Sequence, residues 1–138
     1  MLEVVLDTSV FTAALMSPNR ESAPNRILDA WRGGRFTLVM APQLLRELVA
    51  TLRRRRIPDE VLEDLVEAIG LVALHIPGSY VATRLDAIDP ADNMFLAAAI
   101  EGHADYLVSL DRHLLHLKHY HGSQIRTPAL FLRQLNRP

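Results

Sequence analysis

Short apolar runs rich in β-branched and aromatic residues alternate with amphipathic segments along the whole chain, and no other feature constrains the fold as strongly. The runs predict strands at 2–6, 36–40, 71–76, 106–109 and 124–126. The segments between them predict helices at 10–16, 22–31, 41–56, 58–69, 79–85, 90–101, 112–117 and 127–135. Strands that alternate with helices are joined by crossovers. The pattern therefore predicts an α/β fold with a parallel sheet of four or five strands and helices on both faces.

The composition narrows the class of protein. The chain has 138 residues, of which 49% are hydrophobic, and we expect a single globular domain over residues 1–138. No apolar run is long enough to predict a membrane span, and the first residues lack the pattern of a signal peptide. The absence of cysteine excludes disulfides and thiolate zinc sites, and it fits a cytoplasmic protein. The net charge of −1 does not predict nucleic-acid binding, so local patches would have to provide it.

Four acidic residues fall where a parallel sheet would gather them. Ligand clefts in such sheets lie beyond the carboxyl ends of the strands. Asp7 follows the first strand, and Asp111 follows the strand at 106–109. Asp92 lies in the first turn of the helix before that strand, and Glu47 lies two turns into the helix after the second strand. We therefore expect these four carboxylates to converge at one edge of the sheet.

Converging carboxylates need a cation. Two like charges roughly 4 Å apart repel by about 4 kcal/mol at an effective dielectric near 20. Oxygen-only ligands suit Mg²⁺ or Mn²⁺, which can activate water and stabilise the leaving oxygen of a phosphodiester. The hydroxyls of Thr8, Ser9 and Ser109 lie beside two of the acids in sequence, and we expect them to bond a carboxylate, a metal-bound water or a phosphate. The acids therefore predict a metal site for phosphodiester cleavage.

The same residues form an ordered set of motifs that covers nearly the whole chain. The set comprises Val5-Leu6-Asp7-Thr8-Ser9-Val10, Glu47 in its Leu-rich helix, Asp89-Pro90-Ala91-Asp92-Asn93 and Val108-Ser109-Leu110-Asp111. Each motif is weak alone, but together they resemble the acidic signature of PIN-domain proteins, in particular the VapC-like toxins of bacterial toxin–antitoxin pairs. In that family the last motif often has a second acid two residues after the first, where this chain has His113.

The resemblance implies a fold, an activity and partners. The fold is a three-layer α/β/α arrangement around a parallel sheet. The activity is that of an endoribonuclease that depends on Mg²⁺ or Mn²⁺. The implied metal-binding quartet is Asp7, Glu47, Asp92 and Asp111, with Ser9 as an accessory residue. The implied partners are an RNA substrate, a cognate antitoxin and a second copy of the chain in a homodimer.

Several of the acids also have a plain structural interpretation. Asp-Pro is a good helix start, so we expect Asp89 to cap its helix, with a part in the metal site as the alternative. Asp92 could simply interact favourably with the positive end of the helix dipole, because it lies in the first turn. Glu47 could be an exposed helical glutamate. We nevertheless expect both to be metal ligands. Asp105 precedes its strand, at the opposite edge of the sheet, so we expect a solvated acid.

Two clusters of other residues invite a functional interpretation. The arginines at 53–56 are either an RNA contact or a solvated helix end. His113, His116, His119 and His121 suggest zinc, but their spacing matches no fixed ligand pattern. We therefore expect no zinc site.

Three functions compete. The leading hypothesis is the metal-dependent ribonuclease. The alternative from a different class is a non-catalytic module with the same fold that acts through RNA or protein contacts. A phosphoryl-transfer domain with Asp7 as the covalent acceptor is disfavoured, because Ser9 stands where a second acid is needed and Lys118 is the only lysine.

Overall fold

The computed structural model of the protein describes residues 1–137, which form a six-stranded sheet flanked by helices. The strands are β1 (Glu3–Leu6), β2 (Thr37–Met40), β3 (Leu74–His75), β4 (Tyr106–Val108), β5 (His119–Tyr120) and β6 (Ser123–Arg126). The helices are α1 (Thr8–Met16), α2 (Ala23–Arg32), α3 (Pro42–Arg54), α4 (Asp59–Val72), α5 (Asn93–Glu101), α6 (Arg112–Leu115) and α7 (Pro128–Leu135). A 3₁₀ turn, Pro90–Asp92, leads into α5.

The strand order is β3-β2-β1-β4-β6-β5, and every neighbouring pair is parallel except β5 with β6. The predicted α/β class with a parallel central sheet is confirmed. Val4 and Val5 point to opposite faces of β1, and both are fully buried. Burial of consecutive strand residues requires helices on both faces, as the alternating pattern predicted.

The order of the strands creates a reversal between β1 and β4. From β1 the chain moves outward to β2 and then to β3, and it returns across the sheet to add β4 on the other side of β1. Such reversals leave a crevice at the carboxyl ends of the two strands. The returning segment contains the 3₁₀ turn and α5, which contacts both β1 and β4. The topology therefore brings this segment to the crevice.

The prediction of a strand at 71–76 is mostly wrong. Leu71 and Val72 belong to α4, and only Leu74 and His75 pair with β2. A short apolar run does not by itself distinguish a strand from the end of a helix. At this edge of the sheet β3 is only two residues long, and both are exposed.

The helix predicted at 79–85 does not form. Residues 76–83 have no regular structure, and turns follow at 84–88. The backbone N–H groups of Gly78, Ser79 and Tyr80 donate to the carboxylate of Glu101 at 2.7 to 3.0 Å. These distant partners replace the local bonds that a helix would need, and local sequence does not reveal them.

Residues 119–126 form a hairpin that the sequence pattern did not predict. Strand β5 pairs with β6 across a turn in which His121 and Gly122 both have positive φ, 47° and 89°. Two positive φ angles in a two-residue loop are the geometry that glycine favours in tight hairpins. The Gly at 122 between two polar stretches is the signal that could have predicted it.

The core continues under α7. The Phe131 ring meets Phe36 and Tyr106 edge to face, with ring centroids 5.4 and 5.2 Å away. These contacts fasten the last helix to the sheet.

Within residues 1–137, no helix has the length and apolar character that crossing a bilayer requires.

Candidate metal centre

Asp7 and Ser109 lie side by side at the crevice because of the strand register. Leu6 of β1 pairs with Val108 of β4, so the residue that follows each strand lies opposite the other. The Asp7 N–H also donates to the Val108 carbonyl at 2.9 Å. Sequence alone placed both residues at strand ends, and the parallel register makes them neighbours.

The Asp7 carboxylate is held by two hydroxyls. Its Oδ2 accepts hydrogen bonds from Ser109 Oγ at 2.6 Å and from Ser9 Oγ at 2.8 Å. The side chain is buried, and burial raises the pKa of Asp7. The two hydroxyl bonds oppose that rise, whereas repulsion from Asp111 adds to it. The expectation that Ser9 and Ser109 bond a carboxylate is confirmed. Thr8 is buried at the start of α1.

The same hydroxyls fix the turn that carries Asp111. Ser109 Oγ accepts from the Asp111 N–H at 2.9 Å, and Ser9 Oγ accepts from the Leu110 N–H at 3.1 Å. Asp111 in turn caps α6, because its Oδ1 accepts from the His113 N–H at 2.8 Å. These bonds tie the ends of β1 and β4 into one polar network.

Asp92 and Asp89 approach this network from the returning segment. One carboxylate oxygen each from Asp89, Asp92 and Asp111 lie within 4.8 Å of one another. Burial, contact with Asp111 and the charges of Asp7 and Asp89 together raise the pKa of Asp92 to about 8. Its Oδ2 is buried without a hydrogen-bond partner. Two of the four predicted acids, Asp92 and Asp111, therefore lie together with Asp89. The charge of Asp7 acts on both of them from beside this group.

Asp89 does not cap a helix, contrary to our expectation. It occupies the position before the 3₁₀ turn, but its side chain accepts no capping hydrogen bond there. The local Asp-Pro pattern gave the correct start of the helical segment and the wrong direction for the carboxylate. One Asp89 carboxylate oxygen instead lies within 4.8 Å of oxygens of Asp92 and Asp111, partners that the Asp-Pro pattern does not reveal.

Glu47 lies apart from the group of three. Its Oε1 accepts from Thr51 Oγ1 at 3.0 Å and lies 3.9 Å from an Arg54 guanidinium nitrogen. Both partners follow it on α3, so the carboxylate runs along its own helix in this conformation. A part for Glu47 in binding metal stays a prediction.

Asn93 and Asp105 also make hydrogen bonds near the ends of the strands and of α5. Asn93 was not singled out from sequence, yet it is buried and its side chain bonds to Leu85 N–H and to Asp86 at 2.9 and 2.7 Å. Its place directly after Asp92 was the available signal. Asp105 is exposed as expected, but it also accepts a hydrogen bond from the Glu3 N–H at 2.8 Å.

Over the described part of the chain, no histidine belongs to a group of side chains placed to share a metal.

The donor set fits a hard divalent cation. All the contributed atoms are carboxylate oxygens, which Mg²⁺ and Mn²⁺ prefer. The unpartnered Asp92 oxygen is costly to bury unless a proton or a cation satisfies it. The residues present therefore suit such an ion.

A sequence model of the PIN domain family matches residues 3–113, which is most of the chain. The chain belongs to the PIN domain family. The match covers all the acidic residues discussed above, and the predicted family is confirmed.

Solved structures share this PIN fold. A VapBC2 complex from Rickettsia felis, bound to a DNA fragment from their promoter, has a TM-score of 0.63 at 16% identity and covers 91% of this chain and 98% of that chain. PAE2754 from Pyrobaculum aerophilum has a TM-score of 0.60 at 14% identity and covers 98% of this chain and 89% of that chain. Likeness at such identities concerns the fold. No curated protein sequence matches the chain.

Proposed function

We propose that this PIN domain is a metal-dependent endoribonuclease and the toxin of a toxin–antitoxin pair. The single observation that carries the proposal is the convergence of Asp89, Asp92 and Asp111 within 4.8 Å, beside a buried Asp7, at the crevice of the sheet. PIN domains are generally nucleases, and the crevice is where ligands of such sheets bind. The VapBC2 neighbour supports the toxin assignment through its fold.

Asp7, Asp92 and Asp111 would hold Mg²⁺ or Mn²⁺. When bound, the ion supplies positive charge that polarises a water molecule and offsets the charge on the leaving oxygen of the phosphodiester. The chain's own residues set the site up. Ser9 and Ser109 hold Asp7 in one orientation, and the Asp111 N–H is fixed by Ser109. At neutral pH Asp92 keeps a proton that metal binding must displace, because its pKa is raised.

Glu47 would join the site only by turning away from Arg54. The pair is half-exposed, so its attraction is weak and rotation costs little. We propose that Glu47 completes the quartet when metal and RNA are bound. A cytoplasmic location, a homodimer and an antitoxin that blocks the crevice with a basic side chain belong to the same proposal.

The test is cleavage of single-stranded RNA by the purified chain with Mg²⁺, with Mn²⁺ and with a chelator. We expect cleavage with either metal, none with chelator, and a loss of at least about 100-fold for Asp7→Asn and Asp111→Asn, since the metal contributes several kcal/mol. Glu47→Gln should lose less, because its carboxylate stands outside the group. Asp64→Asn is the matched control, since Asp64 pairs with Arg32 on the surface.

The observation that favours the alternative function, a non-catalytic module, is the engagement of Glu47 by Thr51 and Arg54. Such a module would bind RNA equally with and without metal and would cleave it under no condition. That result would refute the proposal that the chain is a ribonuclease. Copurification with the product of the neighbouring gene, and growth arrest when the chain is expressed without it, test the toxin assignment.

A further inference from the structure

Asp89 stands at a helix start where its side chain does no capping. Three helices of the chain have a side-chain cap, because Ser22, Thr127 and Asp111 each accept a backbone N–H of the helix that follows. The residues before α1, α3, α4 and α5 make no such bond. The side chain of Asp89 accepts no such bond from the 3₁₀ turn it precedes. A capping role therefore does not explain the position of the Asp89 carboxylate.

That environment consists of two more carboxylates. Asp89, Asp92 and Asp111 each offer an oxygen within 4.8 Å of the other two. Around an octahedral Mg²⁺ with bonds of about 2.1 Å, neighbouring oxygens lie about 3.0 Å apart and opposite ones about 4.2 Å apart. Small side-chain rotations would bring the three oxygens to one ion.

An independent observation points to a ligand at the same place. Asp92 is 9% exposed, and its Oδ2 is fully buried and lacks a hydrogen-bond partner. Buried polar atoms are nearly always satisfied, so an orphaned carboxylate oxygen amid other carboxylates indicates that a proton or a cation occupies this place. The cluster and the orphaned oxygen thus indicate the same kind of ligand.

The backbone holds Asp89 in this position. Asn93 Oδ1 accepts from the Leu85 N–H at 2.9 Å, and Asn93 Nδ2 donates to Asp86 Oδ1 at 2.7 Å. The Asp89 N–H donates to the Leu85 carbonyl at 2.9 Å. Because Asn93 is buried at the first position of α5, it anchors the preceding turn to that helix. A ligand on an anchored turn loses little entropy when it binds a cation.

We propose that Asp89 is a direct ligand of the divalent cation, together with Asp92 and Asp111. The inference rests on the proposed metal site and adds a residue to it that lies outside the quartet expected from the family resemblance. The segment before α5 then provides two ligands, Asp89 and Asp92, and the strand-end turn provides Asp111.

The experiment is a calorimetric titration of the full-length, metal-free chain with Mn²⁺, comparing the wild type with Asp89→Asn and Asp86→Asn. Asparagine is as good a helix cap as aspartate, so a capping role predicts no change in Asp89→Asn. A ligand role predicts Mn²⁺ binding at least about tenfold weaker. Asp86→Asn is the matched control, because it removes the same charge from the same turn and keeps an oxygen that accepts from Asn93. Its affinity should stay within about twofold of the wild type.

Melting in chelator checks the fold of each variant. Asp89→Asn should melt at the wild-type temperature or above, since it removes a negative charge that lies beside Asp92 and Asp111. A marked drop would mean that Asp89 is structural, and it would overturn the inference. So would equal Mn²⁺ affinities for the wild type and Asp89→Asn.

The same titration separates this inference from the proposed function. If the wild type binds Mn²⁺ and Asp89→Asn binds it weakly, the inference stands even where the wild type cleaves no RNA, and only the nuclease proposal fails. If the wild type cleaves RNA and Asp89→Asn binds Mn²⁺ normally, the nuclease stands and the inference fails. A wild type that binds no Mn²⁺ refutes both.

Discussion

Aspartate side chains have different surroundings at the two ends of the parallel sheet. At the end where the strands begin, Asp105 accepts a hydrogen bond from the Glu3 N–H, and its own N–H donates to the Glu3 carbonyl at 2.7 Å. At the end where the strands finish, Asp92 has an oxygen without a partner and lies among other acids. An acid at the first end is satisfied by the chain itself. At the second end the chain gathers more carboxylates than its own donors satisfy, and a proton or a cation is needed.

Buried serines repeat this contrast. Ser123, at the start of β6, donates to the Ala104 carbonyl at 2.6 Å and so joins two backbone segments. Ser109, just past the end of β4, donates to the Asp7 carboxylate and accepts from the Asp111 N–H. The first serine supports the fold, and the second also orients two acids of the site.

The sharpest test of the contrast is Ser109→Ala beside Ser123→Ala. Each removes one buried hydroxyl, so each should cost about 1–3 kcal/mol of unfolding free energy. Only Ser109→Ala should weaken Mn²⁺ binding and RNA cleavage, by about 10- to 100-fold, because it frees Asp7 and Asp111. Titration calorimetry and cleavage rates measure this, and equal losses in the two variants would show that the two ends do not differ.

A smaller effect is expected in the pH dependence of stability without metal. The pKa of Asp92 is raised to about 8 and that of Asp7 is raised above 3.8, so the folded state keeps protons that the unfolded state releases. Stability from this source is full below about pH 4 and is lost as the pH rises towards 8. In chelator the protein should melt at least about 4 °C higher at pH 5.5 than at pH 8.

Two controls accompany that melting series. Asp92→Asn should flatten the dependence, and millimolar Mg²⁺ should raise the melting temperature most at pH 8, where it replaces the missing proton. A wild type and an Asp92→Asn variant with parallel pH profiles would contradict the charged cluster.

The smallest effect belongs to the other end of the sheet. Asp105→Ala removes the acceptor for the Glu3 N–H and should cost about 1 kcal/mol of unfolding free energy, with metal affinity unchanged. Chemical denaturation measures the first and titration the second. A loss of metal affinity in this variant would remove the distinction between the two ends.

Local sequence was sufficient for the parts of the fold in which each residue's environment is set by its own segment. The β-branched runs around Val5, Val39 and Leu107 are buried on both faces as predicted, because burial follows the period of a strand. Prediction failed where a distant partner decides the conformation. Residues 79–85 are not helical, since Glu101 and Asn93 bond to their backbone.

The site divides in the same way. Asp7 and Asp111 were predicted at the crevice because strand ends can be read from the sequence, and parallel strands finish at one edge. The directions of the Asp89 and Glu47 carboxylates could not be read locally. The first faces Asp92 and Asp111, and the second follows its helix to Thr51.

Hydrophobic period and chain connectivity were thus enough to predict most of the strands and helices, the parallel sheet and the acids that follow its strands. The assembled fold was needed to show which carboxylates lie close to one another. Side-chain direction depends on neighbours far away along the chain, such as Ser109 for Asp7 and Asp111 for Asp92, and these neighbours meet only when the sheet is assembled.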